Sequence, residues 1–522
     1  MATHQLRIDH PPAIRAHRAK KWLLIALLVL GAILLAAGVL LALKWPFTRQ
    51  RVTQRLQRAT ATSVHIGRFK ALYFPHPGCV AEELTFRAPR NPARPLMTIR
   101  TLTIRGTFFG LFTRHISLVR AEGAQIALPA LSSGQSLGGN NQDRTVIDRL
   151  VADGAVLDIE PKSAGPQPTR FLLRRFQLQG LGGNHALSFQ TVVENPKPPG
   201  EITAAGSFGP WKTGSAASTA VSGRYAFRHA DLSVFRGIAG TLSSDGAFRG
   251  SFRRLQVQGT TDTPDFEAAS SGHRVHLSAQ FRALVDATNA DVTLQEVTAL
   301  FGHTTVAAQG RIASTAAGQG KTASLDFAVQ NGRIEDVLLL FVKDRQSPLL
   351  GIASFRAHVV IPPGRAQFER KVRLAGEFGI GDARFTNPHT ENSLTDLSQR
   401  ARGEKDKAEN SVPENPERVL SDLQGQVALR NGVATFTNLR FGVPGARARM
   451  HGTYNLVNQR INLHGLLHMD SSLSQAASGI KSFLLKALGP FLKSNHRHEV
   501  LPVSITGTYD HPSYHMSPQS KK

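Results

Sequence analysis

Residues 274–285 alternate between apolar and polar side chains. Val275, Leu277, Ala279, Phe281, Ala283 and Val285 interleave with Arg274, His276, Ser278, Gln280 and Arg282. Successive side chains of a strand point to opposite faces, so this run is a β-strand with one dry face and one wet face. The pattern returns at residues 254–258 (RLQVQ), 175–179 (RFQLQ) and 291–295 (DVTLQ). It returns again at 447–456, where Ala448, Met450, Tyr454 and Leu456 oppose Arg449, His451, Thr453 and Asn455. Asp153-Gly154, Asn331-Gly332 and Asn431-Gly432 have the positive-φ chemistry of tight hairpin turns, which predicts successive strands joined as antiparallel hairpins. About 25 strands at ~4.8 Å spacing would make a sheet on the order of 100 Å wide, and an open sheet of that size curls, splits or closes.

Ahead of the β pattern, residues 22–43 read WLLIALLVLGAILLAAGVLLAL, bounded by Trp22 and Leu43 and free of charge. At ~1.5 Å per residue a helix of this length spans a hydrocarbon core of ~30 Å. Lys44, Trp45, Pro46 and Phe47 come next, where a signal peptide carries a small-residue cleavage site, so the segment reads as an uncleaved anchor with Trp22 and Trp45 near the two interfaces. Charge does not orient it. Arg7, Arg15, Arg18, Lys20 and Lys21 on one side are matched by Lys44, Arg49, Arg51, Arg55 and Arg58 on the other.

The chain has 41% hydrophobic residues, which excludes disorder, and a single cysteine, Cys79, which excludes an internal disulfide. The formal net charge of +25 fits either a basic soluble surface or attraction to an anionic membrane. Lys and Arg are scattered and aromatics are only 7%, so the stacking platforms of a nucleic-acid binder are missing and no nucleic-acid partner is expected.

No motif points to catalysis. Gly134-Gln135-Ser136-Leu137-Gly138 matches G-x-S-x-G, but it lies in SSGQSLGGNNQ without the strand-turn-helix context that exposes a nucleophile. Gly320-Lys321-Thr322 resembles the end of a phosphate-binding loop, yet Thr315 stands where its first glycine belongs, so it reads as a turn. The 20 histidines, His496 and His498 among them, show no metal-ligand spacing. The expectation is a non-enzyme with no cofactor and no metal.

Two segments interrupt the β pattern. Residues 387–418 are polar and charged, and read as a short helix over 394–401 followed by a loop. Residues 473–493 have period 3.6, with Ile480, Phe483, Leu484, Leu488, Phe491 and Leu492 on one face, and predict an amphipathic helix bent at Gly489-Pro490. That helix fits a cover on the β-domain or a lipid-touching surface element. A weak repeat links residues 259–266 (GTTDTPDF) with 507–514 (GTYDHPSY), each read as a strand followed by an Asp-x-Pro turn.

Several stretches together resemble the AsmA-like family of Gram-negative envelope proteins. They are the anchor, RVTQRLQRATATSVHIGRF after it, and TIRTLTIRGTFFGLFTRHISLVRAEGAQIAL. Near the end, LSDLQGQVALRNGVATFTNLRFGVPGARARMHGTYNLVNQRINLHG and LPVSITGTYDHPSY are similar to the family's C-terminal region. Its Leu-Ser-x-x-Ala-x-Gly element corresponds to Leu397-Ser398-Gln399-Arg400-Ala401-Arg402-Gly403. The resemblance implies an inner-membrane anchor with the C-terminal domain in the periplasm, and a curled, groove-like β-sheet that handles phospholipid.

The expected organisation is a basic cytoplasmic terminus (1–21), a transmembrane helix (22–43), a β-rich periplasmic part (44–386), a polar helix and linker (387–418) and an AsmA-like β region (419–522). The fold class is mainly β: a long curled antiparallel sheet behind one transmembrane helix, with a few short helices. Val275, Leu277, Ala279, Phe281, Ala283, Met450 and Tyr454 are the candidate lipid-groove residues. Each CH₂ moved from water to an apolar surface gains ~0.8 kcal/mol, so a continuous dry trough suits an acyl chain. A sandwich whose dry faces pack together fits the same alternation. Two functions fit: a lipid conduit for outer-membrane homeostasis, or a scaffold for outer-membrane or other envelope proteins that offers exposed sheet edges.

Overall fold

The structure, a computed structural model, describes residues 45–88, 91–113, 115–128, 145–159, 169–182, 185–210, 218–268, 272–315, 320–340, 346–364, 366–386, 421–443, 446–469, 499–508 and 512–516. The anchor with Trp22 and Leu43, the Ser136 loop, the 387–418 linker, the 473–493 helix, and His496 and His498 lie outside these residues. Among the described residues no helix is long and apolar enough to cross a membrane.

The described residues are mainly β, and their strands form one 26-stranded sheet. The N-terminal part holds β1 (Ser63–His65), β2 (Arg68–Leu72), β3 (Gly78–Ala88), β4 (Asn91–Gly106), β5 (His115–Glu122) and β6 (Gln125–Leu128). From β7 (Val146–Ile159) the chain runs through β8 (Thr169–Leu181), β9 (Leu187–Pro196), β10 (Pro199–Phe208), β11 (Ala220–Asp231), β12 (Ile238–Ala239) and β13 (Thr241–Ser251). Next come β14 (Arg254–Ala268), β15 (Arg274–Asp286), β16 (Asp291–Phe301), β17 (Thr304–Ser314), β18 (Lys321–Arg333), β19 (Leu349–Ile361) and β20 (Arg373–Phe385). The last strands are β21 (Ser421–Arg430), β22 (Val433–Val443), β23 (Ala446–Asn455), β24 (Arg460–Met469), β25 (Glu499–Thr508) and β26 (Pro512–Met516). Short helices accompany them: α1 (Arg49–Thr60), α2 (Phe108–Thr113), α3 (Ile334–Leu339) and α4 (Phe368–Lys371).

From β7 onward the strands pair antiparallel in chain order, with β12 the one short detour: β11 pairs directly with β13. The expectation of antiparallel hairpins throughout fails most clearly where β5 and then β6 lie parallel to β7, and β1 and β2 do not pair with each other but both lie antiparallel to β3. Gly154 marks the handover. With φ +60° it sits inside β7 where the partner changes from Glu122 to Gln125, so Asp153-Gly154 bends a strand instead of ending it.

Two other expected turns are also bulges. Asn331-Gly332 lies within β18, at the register shift between Val329 and Gly332. The Asp262-x-Pro264 element lies within β14, at the shift between Thr263 and Phe266. A bulge accommodates both positive φ and a proline that donates no hydrogen bond, so these sequences serve bulges as well as turns. Asn431-Gly432 is the expected tight turn: Arg430 pairs with Val433, and the two turn residues have φ +52° and +79°.

The longest connections beyond β18, over 334–348, 387–420 and 470–498, all leave from the same rim, because each joins an even-numbered strand to the next odd-numbered one. The opposite rim carries tight turns such as Phe252-Arg253 and Asn431-Gly432. Buried apolar residues gather in separate clusters instead of one core. Trp45, Val52, Ile66, Cys79, Leu84, Phe86 and Leu102 pack beneath α1 on the N-terminal strands. On the insertion-bearing rim, Val337 of α3 packs both on Phe301, Val306 and Val329 and on the cluster of Leu349, Ile380, Met450 and Leu467. Asp336 fixes α3 there by accepting hydrogen bonds from His303 N and Thr304 Oγ1, each at 2.8 Å.

Candidate functional site

The register brings the expected groove residues onto one face. Beginning at Phe281, its cross-strand partners run toward the N-terminus as Gly259, Gly246, Tyr225, Ala204, Thr191, Phe176 and Ala152. In the other direction they run Val297, Ala308, Phe327, Ala357, Gly376, Val427, Phe436, Gly452, Leu463, Ile505 and Tyr514. Every strand from β7 to β26 except β12 contributes to this row, and no member is charged.

A second row passes through Ala283. It runs from Leu150 through Leu178, Phe189, Gly206, Gly223, Phe248 and Val257 to Ala283. Beyond Ala283 it continues through Leu294, Gly310, Leu325, Val359, Leu374, Leu429, Ala434 and Tyr454 to Ile461. It too carries no charge. Ala279, Leu277 and, past the β14 bulge, Val275 add further positions on the same face, and Met450 belongs to it through its pairing with Leu439 and Gly465. Rows two residues apart are separated by ~6.8 Å, so the uncharged band is wider than one acyl chain.

Large side chains stand beside small ones along the band. Phe327 lies between Ala308 and Ala357, and Phe436 next to Gly452. The Tyr225 ring covers the paired Gly246 and Gly259, where an added Cβ would come within 3.0 Å of it. Its hydroxyl lies 3.0 Å from Ser244 Oγ, and burial pushes the phenol above its ordinary value. Val275, Leu277, Ala279, Phe281 and Tyr454 are half-buried, whereas Ala283 and Met450 are buried. A second sheet packed at ~10 Å would bury a strand's whole dry face. Here all the described strands belong to one sheet, and much of its apolar face keeps access to solvent.

The ion pairs between strands lie on the other face. Arg282 pairs with Glu296 at 3.4 Å, His358 with Asp326 at 2.7 Å, Arg228 with Asp245 at 2.6 Å and Arg170 with Asp158 at 2.8 Å. The Arg170 hydrogen bond holds the Asp158 carboxyl below the usual carboxylate range. Two open depressions, of about 820 and 940 Å³, lie on this polar face. Their floors are small residues such as Ala226 and Ala247 in one and Ala307, Ala328 and Ala375 in the other, between long charged side chains. They are troughs between salt-bridged ridges, and band members such as Tyr225 and Phe281 in the first and Phe327 and Val427 in the second also line them.

Comparison with known protein families, with curated proteins and with solved structures finds no match.

Lys321, at the start of β18, donates to Asp291 Oδ1 at 3.0 Å and to the Asn289 carbonyl at 2.9 Å, and residues 316–319 before it lie outside the described residues. Among the described residues no cluster of His, Cys, Asp and Glu is arranged to hold a metal. Trp45, which the sequence places near an interface, is buried and packs against Phe47 and Tyr73. Helix α1 was not legible as periodicity, because only Val52 is buried on it and its other positions are mostly polar.

Proposed function

We propose that this chain is an AsmA-like, inner-membrane-anchored protein whose sheet curls into a groove that binds phospholipid and conducts it through the periplasm. The observation that carries this reading is the pair of uncharged rows crossing the sheet, one from β7 to β26 and the other from β7 to β24. An acyl chain laid along the band gains ~0.8 kcal/mol per CH₂ and meets no charge on its way. Arginines at the rims offer partners for phosphate headgroups. In this reading the chain works by binding, and neither Ser136 nor Lys321 is a catalyst.

A benzophenone amino acid placed at position 281 of the full chain in cells tests the proposal. Cross-linking to phospholipid at 281, with none at the wet-face neighbour 280, is the expected result. Lipid adducts absent from 281 and present at neither face reject the groove. The scaffold reading is favoured instead by protein adducts from a probe at Ser513, on the sheet's terminal strand β26.

A further inference from the structure

Among the described residues, Phe74 is 86% exposed, Phe109 78%, Tyr73 61% and Phe108 41%. They sit on two connections, β2 to β3 and β4 to β5, that are adjacent in space: Gly106 N donates to the Pro77 carbonyl at 2.7 Å. Four exposed aromatics on one corner form a patch that a protein surrounded by water does not ordinarily keep.

Trp45 places that corner. Its ring centroid is 4.9 Å from that of Tyr73, and its carbonyl accepts a hydrogen bond from Arg51 of α1 at 2.8 Å. The apolar run ends at Leu43, and two residues of chain reach at most ~7 Å. If residues 22–43 span a bilayer, its surface lies within that reach of Trp45. Helix α1, which starts at Arg49, carries four arginines and no acidic residue, complementary to anionic headgroups. Aromatic rings are favoured at the bilayer interface, where an apolar body and the headgroup layer are both within reach.

We propose that this corner docks on the bilayer that residues 22–43 span, with Phe74 and Phe109 entering the interfacial layer and Tyr73 and Phe108 beside them. The domain then stands on the membrane by its N-terminal strands, and the apolar band leads away from the lipid surface instead of lying along it. The inference rests on the anchor reading but not on lipid transport.

The test uses the full chain in nanodiscs of phosphatidylethanolamine and phosphatidylglycerol with headgroup-labelled quencher lipid. Phe74→Cys, Phe109→Cys and, as a distant control, Asn458→Cys each carry an environment-sensitive fluorophore. Cys79 is buried, and the unsubstituted chain measures background labelling. Asn458, in the β23 to β24 turn, lies on the order of 80 Å along the sheet from the aromatic corner at ~4.8 Å per strand. Quenching at 74 and 109 at least twofold stronger than at 458 is expected. Equal quenching at all three sites, in protein that co-elutes with nanodiscs, overturns the docking and leaves the anchor standing. Failure to co-elute overturns the anchor reading and the docking together, whatever lipid cross-linking at position 281 shows.

Discussion

Phe281→Asp separates an open apolar band from a sealed core. Phe281 is half-buried, between Gly259 and Val297 in the first row. Full burial of a phenylalanine contributes about 1.5–3 kcal/mol, so removing a half-buried one costs about 1–1.5 kcal/mol. On an open band the new carboxylate stays hydrated, and the total loss stays near about 1–3 kcal/mol, a shift of a few degrees in Tm. In a sealed core an unpaired charge costs several kcal/mol more and the protein does not fold. Function responds differently. If the hydrated carboxylate lifts two CH₂ groups of a passing acyl chain off the surface, the barrier rises by about 1.6 kcal/mol, roughly tenfold in rate. The assay is delivery of fluorescent phospholipid from donor proteoliposomes carrying the full chain to acceptor vesicles, with thermal unfolding on the same sample. A folded protein with about tenfold slower delivery is expected, while Gln280→Asp on the wet face delivers normally. Wild-type delivery by Phe281→Asp refutes the reasoning, and wholesale unfolding shows that this face is sealed.

Three further outcomes are expected. Burial pushes the Cys79 thiol up to about 12, so it stays protonated and resists alkylation at pH 8 until denaturant is added; rapid labelling of the native protein would contradict the N-terminal packing. The Asp265 carboxylate accepts from Thr241 N at 2.7 Å, and this bond holds it below the usual carboxylate range. Its folded pKa is depressed, so its contribution is present above the ordinary carboxylate pKa and is lost as pH falls through the folded value. Asp265→Asn should then be less stable at neutral pH and should lose less on acidification than the parent, measured by urea unfolding from pH 7 down to pH 3; an unchanged acid response would show that this bond contributes nothing. A C-terminal phosphatase fusion should be active and a fluorescent protein that matures only in the cytoplasm should be dark, with the reverse pattern rejecting a periplasmic domain.

Strand identity was written locally. The alternation of residues 274–285 appears as β15, and the same holds for the runs at 254–258, 175–179, 291–295 and 447–455, because a strand's period of two is a property of its own backbone. The choice of Val275, Leu277, Ala279, Phe281 and Ala283 as one face needed nothing more. Bulge and turn were not separable in this way. Asn331-Gly332 and Asn431-Gly432 are the same dipeptide, yet the first bulges inside β18 and the second turns between β21 and β22. The partner of the next residues makes the difference. Beyond the first pair the chain keeps the same neighbouring strand, because Gly332 pairs with Ala353 and Arg333 with Ile352, whereas after Gly432 it folds back on its own preceding strand. The partners that hold the bulge lie about 20 residues away along the chain, and no local pattern contains them.

The alternation by itself permitted a groove or a sandwich, and a barrel or split sheets besides. Tertiary structure decided that the strands share one sheet, that β5 and β6 enter it parallel to β7, and that the dry faces line up across bulges without a charged residue in either row. A one-residue slip at any bulge would have moved a wet face into the band. The sequence determined which side of each strand is apolar, because that depends on neighbours two residues away. Only the register between strands decided that those sides join into one surface, because hydrogen-bonded pairing is the interaction that sets their alignment.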